Sequence, residues 1–171
     1  MKTLKIVSIV AVLFATQVLT AQNPAISKKY SDAEIATLLQ NFRQANSHET
    51  IPTVNLQKKF NSDFPKAYDA EWETANNIYE VEFDVRFRDF KAYYDKDGNL
   101  LSVAENINPS ELPAVVKNAA EAKYPKYHFE DIDKIRRGTE TFYKIEMEHG
   151  ESEVKIIIQS DGKILTEKFD Y

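Results

Sequence analysis

An internal repeat constrains the fold of this chain more than any other feature of its sequence. Residues 78–106 align with residues 142–170 at an offset of 64, with six identities among 29 pairs. Two of these identities form a turn signal, because Asp97-Gly98 aligns with Asp161-Gly162. Upstream the offset is 60, and an insertion of four residues around positions 134–140 explains the change. Most of the chain is therefore expected to be one structural unit used twice.

The sequence of each copy predicts one helix followed by an antiparallel meander of strands. In the first copy, Leu56, Phe60 and Phe64 lie at positions i, i+4 and i+8, which is the stripe of an amphipathic helix. In the second copy, Ser110 is the expected N-cap of a helix that ends before Pro125. After each helix, apolar and charged residues alternate with the period of two that half-buried strands show.

The alignment also separates turns from strands. Residues 85–88 could continue a strand, but they align with residues 149–152, which contain Gly150 and predict a turn. The third strands are therefore expected at residues 89–94 and 153–159. All four glycines of the chain fall in predicted turns.

One more helix is expected ahead of the repeats. Ser31 and Glu34 have the spacing of a capping box. An apolar helical stripe follows at positions i, i+3, i+4 and i+7, namely Ile35, Leu38, Leu39 and Phe42. This helix has no counterpart in the repeat.

These elements predict an α+β fold. It consists of an N-terminal helix followed by two α-β4 repeats, with antiparallel sheets and helices on one face. The expected organisation is a leader at residues 1–21, a loose N-terminus with the extra helix at 22–50, a first repeat at 51–107 and a second at 108–171. Within the second of these segments, residues 22–30 should be loose and residues 46–50 a short linker.

The first 21 residues have the plan of a secretory signal peptide. Lys2 and Lys5 give a positive start, residues 6–15 form a run interrupted only by Ser8, and Ala21 precedes the expected cleavage site. The run is about half the length that a membrane-spanning helix needs, so no membrane anchor is expected. The mature chain is expected to be periplasmic or secreted.

Composition excludes several classes of function. The chain has no cysteine, which rules out thiol catalysis, cysteine-based zinc sites and disulfides. Its net charge is −5, and loss of Lys2 and Lys5 with the leader would make it −7, which argues against a nucleic-acid partner. Only four glycines are present, and neither of the glycine-rich phosphate-binding motifs occurs.

No catalytic residue, metal site or cofactor is expected. His48, His128 and His149 fall in a linker, at the start of a strand and in a turn, and no GxSxG motif is present. His128 and Glu130 would share a strand face, but no second histidine is near in sequence. Residues 95–99 are only faintly similar to a calcium loop, because the glycine falls fourth rather than sixth.

Short motifs in a fixed order carry a family resemblance. They are residues 51–52, Phe60, residues 64–65, Trp72, residues 79–83 and residues 94–98 in the first copy, and residues 112–116, 124–125, 143–145 and 161–165 in the second. Together they resemble the PepSY-like, β-lactamase-inhibitor-like family of exported bacterial proteins, over residues 51–171. The resemblance implies a fold like that of β-lactamase inhibitory protein, in which two α-β4 units join their sheets and present a concave polar surface to a partner. It does not imply inhibition, because the matching residues are core and turn positions.

The candidate binding surface is a polar sheet face. If the two sheets join side by side, charged side chains of both copies share a face that the helices leave uncovered, and Tyr93 and Ile157 would add apolar anchors to it. An alternating charged row is also the ordinary solvated face of a sheet. The candidate residues are Glu80, Glu82, Asp84, Tyr93, Lys144, Glu146, Glu148 and Ile157.

The leading hypothesis is an exported, non-enzymatic binding protein. It would engage or regulate another envelope or secreted protein through this face. The alternative is a periplasmic carrier of a small ligand or peptide, with a pocket between the repeats or beneath the N-terminal helix. An enzyme of another type would need titratable groups converging in one cleft, and the sequence indicates none.

Overall fold

A computed structural model describes residues 23–170, so the predicted leader at residues 1–21 lies outside the described residues. Three α-helices and nine strands follow one another along the chain. They are α1 (Asp32–Gln44), β1 (His48–Glu49), α2 (Val54–Asp63), β2 (Tyr68–Ala75), β3 (Ile78–Asp84), β4 (Asp89–Asp95), β5 (Leu100–Asn106), a 3₁₀ turn (Pro109–Glu111), α3 (Ala114–Lys123), β6 (His128–Arg137), β7 (Glu140–His149), β8 (Ser152–Gln159) and β9 (Ile164–Asp170). None of the three α-helices in this part of the chain is long and apolar enough to cross a bilayer.

All nine strands form one antiparallel sheet in chain order. The two copies are joined because β5 pairs with β6, with Ser102 opposite Arg137 and Asn106 opposite Asp133. The sheet is therefore continuous from β1 to β9, and each strand neighbours the strand that precedes it in sequence. The predicted α+β class with antiparallel sheet is confirmed.

Helices α2 and α3 both pack on one face of the sheet, called here the α2/α3 face. Leu56 and Phe60 of α2 lie in a cluster with Trp72, Val81 and Phe83. On the second copy, Val116 and Ala120 of α3 lie in a separate cluster with β7 and β8 residues that include Ile145, Met147 and Ile156. Each copy thus has its own apolar core, built from its own helix and strands.

Helix α1 lies on the opposite face, called here the outer face, and covers the first copy. Its Ile35, Leu39 and Phe42 pack on four sheet residues, Ala75, Ile78, Tyr93 and Leu101. The expectation that the helices share one face is therefore wrong. The reason is that these four residues form an apolar patch on the outer face, which matches the apolar stripe of α1.

The cap of α1 follows the sequence, whereas the start of α3 does not. Ser31 and Glu34 form both bonds of the predicted capping box. Ser110, however, is not the N-cap of α3, because Asn108 and Glu111 close a separate 3₁₀ turn and the helix starts only after Pro113.

The segments predicted to be irregular are tied to the sheet. Residues 48–49 form the edge strand β1 on β2, so residues 46–50 are not only a linker. The Ser27 backbone amide donates to the Leu100 carbonyl oxygen at 2.8 Å, and the Lys29 ammonium reaches the Asp95 carboxylate at 3.0 Å. Residues 23–30 lack regular structure but are anchored.

The turn between β3 and β4 is present as predicted. Val85 and Arg88 exchange backbone hydrogen bonds of 3.0 and 3.2 Å. Between them Arg86 and Phe87 both have positive φ angles, 54° and 64°, as a type I′ turn requires. In the equivalent turn of the second copy only the first central residue, Gly150, has a positive φ, 64°, which a glycine adopts without side-chain strain.

Candidate docking surface

Helix α1 reaches β6 and the β6–β7 turn of the second copy, but it does not cover the outer face of β7, β8 and β9. No residue of β7, β8 or β9 belongs to the described apolar cluster beneath that helix. We call the exposed part of these strands, with the neighbouring part of β6, the bare surface. Its members follow from the strand register and are Asp131, Asp133, Lys144, Glu146, Glu148, Glu153, Lys155, Ile157, Thr166 and Lys168.

The strand register places the eight predicted residues on the outer face, but they differ in whether they are near α1 or on the bare surface. Glu80 and Tyr93 are 8% and 7% exposed, and Tyr93 lies in the cluster beneath α1. The expectation that Tyr93 is an exposed anchor is therefore wrong. Glu82 stays exposed, and Asp84 is half-buried at the end of β3.

The other four predicted residues lie together on the bare surface. They are Lys144, Glu146 and Glu148 on β7 and Ile157 on β8. Lys144 is directly opposite Ile157, and Glu146 is directly opposite Lys155. Glu148 is exposed, whereas the other three are half-buried.

An ion-pair chain runs across the bare surface. The Lys144 ammonium lies 3.6 Å from Asp133 and 2.8 Å from Glu146. The Lys155 ammonium lies 3.1 Å from Glu146 and 2.9 Å from Glu153. Sequence reasoning missed Asp133, Glu153 and Lys155, although the alternation on β6 and β8 was the signal that could have found them.

The pKa shifts keep most members of the ion-pair chain charged near neutral pH. Burial would raise the pKa of Glu146, but hydrogen bonds from Lys144 and Lys155 outweigh it and lower that pKa. Hydrogen bonds to Glu153 and Glu146 raise the pKa of Lys155. Burial opposes the positive charge of Lys144, yet the Glu146 hydrogen bond and the Asp133 charge leave its pKa raised. Burial raises the pKa of the Asp133 carboxyl group.

Acidic groups are in excess on this surface. Five carboxylates and three ammonium groups lie on it, namely Asp131, Asp133, Glu146, Glu148 and Glu153 against Lys144, Lys155 and Lys168. The surface therefore favours a partner with a basic excess. Within residues 23–170, no group of three or more His, Asp or Glu side chains could hold a metal ion.

Two cavities lie near the join between the copies. The larger, about 510 Å³, is between residues 26–32 and the β6–β7 turn. The smaller, about 200 Å³, is called here the seam cavity, because it lies on the α2/α3 face where β5 meets β6. Its lining includes Phe64, Phe90, Val103, Glu105, Lys134 and Arg136.

Comparison with a family model covers most of the chain. The model described as "Putative beta-lactamase-inhibitor-like, PepSY-like" matches twice, over residues 40–102 and 103–166. The two matches agree with the internal repeat, while the predicted repeat bounds of 51–107 and 108–171 stay a prediction. No curated protein matches the chain.

Solved structures share the fold at low sequence identity. A BLIP-like protein from Bacteroides fragilis is 22% identical, with a TM-score of 0.60 over 70% of this chain and 87% of that one. A DUF2874 family protein from Bacteroides uniformis is 16% identical, with a TM-score of 0.63 over 70% and 90%. A protein from Bacteroides eggerthii described as one of the "putative periplasmic proteins" is 15% identical, with a TM-score of 0.64 over 70% and 90%.

Proposed function

The chain belongs to the PepSY-like, beta-lactamase-inhibitor-like family, and from this premise we propose that it is an exported, non-enzymatic binding protein. It engages another envelope or secreted protein through the bare surface of the second copy. The observation that carries this proposal is the division of the outer face, half of which is covered by α1 while the other half is left open.

The composition of the bare surface suits a protein partner. Charged side chains lie in rows along β6, β7 and β8, called here the charged rows, and Ile157 lies on β8 opposite Lys144. Leu165 nearby is 41% exposed. Apolar anchors within a polar, solvent-accessible rim are typical of protein interfaces. The charged rows would set orientation and association rate more than affinity.

Family and neighbours support export and binding without naming a partner. The family suggests a non-enzymatic periplasmic protein, and one structural neighbour carries a periplasmic description. The predicted leader at residues 1–21 agrees with this location. Inhibition of a β-lactamase is not carried over, because a fold shared at 15–22% identity does not transfer a binding activity.

The test is capture of a partner from an envelope extract with a matched pair of charge reversals. Glu148→Lys reverses an exposed charge on the bare surface, and Glu121→Lys makes the same change on α3. Capture should fall with Glu148→Lys, because the partner's basic excess then meets a lysine, and should be unchanged with Glu121→Lys. Equal capture by both variants would contradict the proposal.

A second candidate function is carriage of a small anionic ligand in the seam cavity. Arg136 is half-buried there, its guanidinium donates to the Pro24 carbonyl oxygen at 3.0 Å, and no described carboxylate forms an ion pair with it. Burial lowers the pKa of Arg136, which reflects the lost hydration of its charge. Glu105, the carboxylate of the cavity, is already paired with Arg88 at 3.1 Å.

This second candidate is tested by titration with phenylacetate, whose ring and carboxylate match the aromatic and cationic parts of the lining. Amide shifts in the NMR spectrum should move at Val103 and Lys134 and be lost in Arg136→Gln, but not in the control Lys126→Gln. Shifts that are the same in Arg136→Gln would contradict an anion site at the seam.

A further inference from the structure

The apolar patch beneath α1 has a counterpart on the bare surface. Four sheet residues of the first copy meet α1, and the repeat assigns an equivalent to each of them. The pairs are Ala75 with Ile135, Ile78 with Phe142, Tyr93 with Ile157 and Leu101 with Leu165. All four equivalents are apolar, although the outer face of β7, β8 and β9 carries no helix of the described chain.

Strand register supports the equivalence independently of the sequence offset. Ala75 is directly opposite Ile78, as Ile135 is directly opposite Phe142. The fourth residue of each patch lies at a shift in strand register. Leu101 of the first patch lies where the β4–β5 pairing shifts. Leu165 lies at the corresponding slip between β8 and β9. The second patch therefore has the same position in its copy as the first.

The second patch is only partly covered. The Arg137 guanidinium lies over the Phe142 ring, 4.6 Å from its centroid. The Nε atom of Arg137 is buried and has no hydrogen-bond partner among the described residues, which is a costly state for a charged donor. Ile157 is half-buried and Leu165 is exposed.

We propose that this second patch binds an amphipathic α-helix of the partner protein, in the way that the first patch binds α1. The inference rests on the proposed function and names the partner's contacting element. The first patch shows what such a surface holds, namely a helix with Ile35, Leu39 and Phe42 at positions i, i+4 and i+7. An incoming helix would cover Ile157 and Leu165.

Two features of the surroundings fix the occupant further. The patch continues the α1 interface, because Asp32 of α1 accepts a hydrogen bond of 2.8 Å from the Thr139 backbone amide in the β6–β7 turn. Its rim has the acidic excess of the bare surface. The helix should therefore carry basic residues beside its apolar stripe.

The probe for the test is a labelled peptide with the sequence of residues 31–45, which contains α1. A second peptide carries Ala36→Lys and Asn41→Lys, which add positive charge beside the stripe. Fluorescence anisotropy with the full chain should show binding of both, tighter for the lysine peptide. Ile157→Glu should weaken binding about 30-fold, and the control Ile51→Glu, a fully exposed isoleucine elsewhere, should not change it.

The outcomes separate this inference from the proposed function. If peptide binding is absent or unaffected by Ile157→Glu while partner capture is still sensitive to Glu148→Lys, helix binding by the second patch is contradicted. The proposed function is then retained. Loss of sensitivity in both assays overturns both. The third outcome is that the full chain forms a dimer and that Ile157→Glu dissociates it. This result would contradict binding of a helix from another protein, and the occupant would then be α1 of a second copy.

Discussion

Phe42 of α1 meets Tyr93 of β4 edge to face, with ring centroids 5.6 Å apart and ring planes at 79°. Both residues are buried, and Tyr93 is on the outer face of the sheet. This contact holds α1 over the first copy.

Phe42→Ala should destabilise the protein by about 3–5 kcal/mol, because a buried ring is replaced by a cavity beneath α1. Urea unfolding measures the change in the free energy of unfolding. The control is Asn41→Ala, an exposed neighbour on the same helix, which should change it by less than about 0.5 kcal/mol. A small effect of Phe42→Ala would mean that α1 is not packed as described.

Replacing the strained β3–β4 turn should stabilise the fold. Phe87 is 96% exposed and has a φ of 64°, a conformation that costs a bulky residue about 1–3 kcal/mol. Arg86→Asn combined with Phe87→Gly gives the preferred type I′ sequence. Thermal unfolding should show a higher midpoint.

The second copy supplies the converse test of that turn. Gly150→Ala places a Cβ where no atom lies within 4 Å, so its effect is conformational and not steric. It should lower stability by about 1 kcal/mol. A destabilised Arg86→Asn, Phe87→Gly double variant, or a neutral Gly150→Ala, would contradict the turn geometry.

Stability should decline in acid through Asp95. Burial would raise the pKa of this carboxyl group, but hydrogen bonds from Asn99, Lys29 and Tyr30 outweigh it and lower the pKa to about 2. Because the folded pKa is below the unfolded value of 3.8, the stabilisation is present above about pH 4 and is lost as the pH falls towards 2.

The size of the acid effect is about 2 kcal/mol. Urea unfolding of wild type and Asp95→Asn at several pH values measures it as the difference between the two chains. That difference should be largest at neutral pH and shrink below about pH 4. A difference that is constant between pH 7 and pH 2 would contradict the role of Asp95.

The ion-pair chain of the bare surface should matter little for stability. Solvent-accessible ion pairs contribute about 0–1 kcal/mol each, and Glu146 takes part in two of them, so Glu146→Gln should change the free energy of unfolding by no more than about 2 kcal/mol. Partner capture should nevertheless fall, because Glu146 lies at the centre of the charged rows. A loss of stability without a loss of partner capture would contradict the role of Glu146 in binding.

Sequence reasoning recovered the features that local patterns and the repeat determine. The capping box at Ser31 depends on four neighbouring residues, the turn at residues 85–88 follows from its alignment with residues 149–152, and the structure confirms both. Alternation on β7 also placed Lys144 and Glu146 on the outer face.

The position of α1 was beyond those patterns. The apolar stripe of α1 must pack on an apolar surface, but it does not identify that surface. Tyr93 was therefore predicted to be exposed to solvent. The apolar residues Ile78 and Leu101, at positions where the pattern predicts polar side chains, were the available signal. The start of α3 differed because the capping bonds of Asn108 and Glu111 close a separate turn.

The central claim is that the bare surface contacts a partner, and a thiol cross-link tests it most directly. The chain has no cysteine, so Thr166→Cys gives a unique attachment site opposite Ile157, and Asn118→Cys gives one on the exposed side of α3. With a photoactivatable cross-linker on each, an envelope extract should yield a specific cross-linked product from Thr166→Cys and none from Asn118→Cys. The same product from both sites, or a product from Asn118→Cys alone, would contradict the claim.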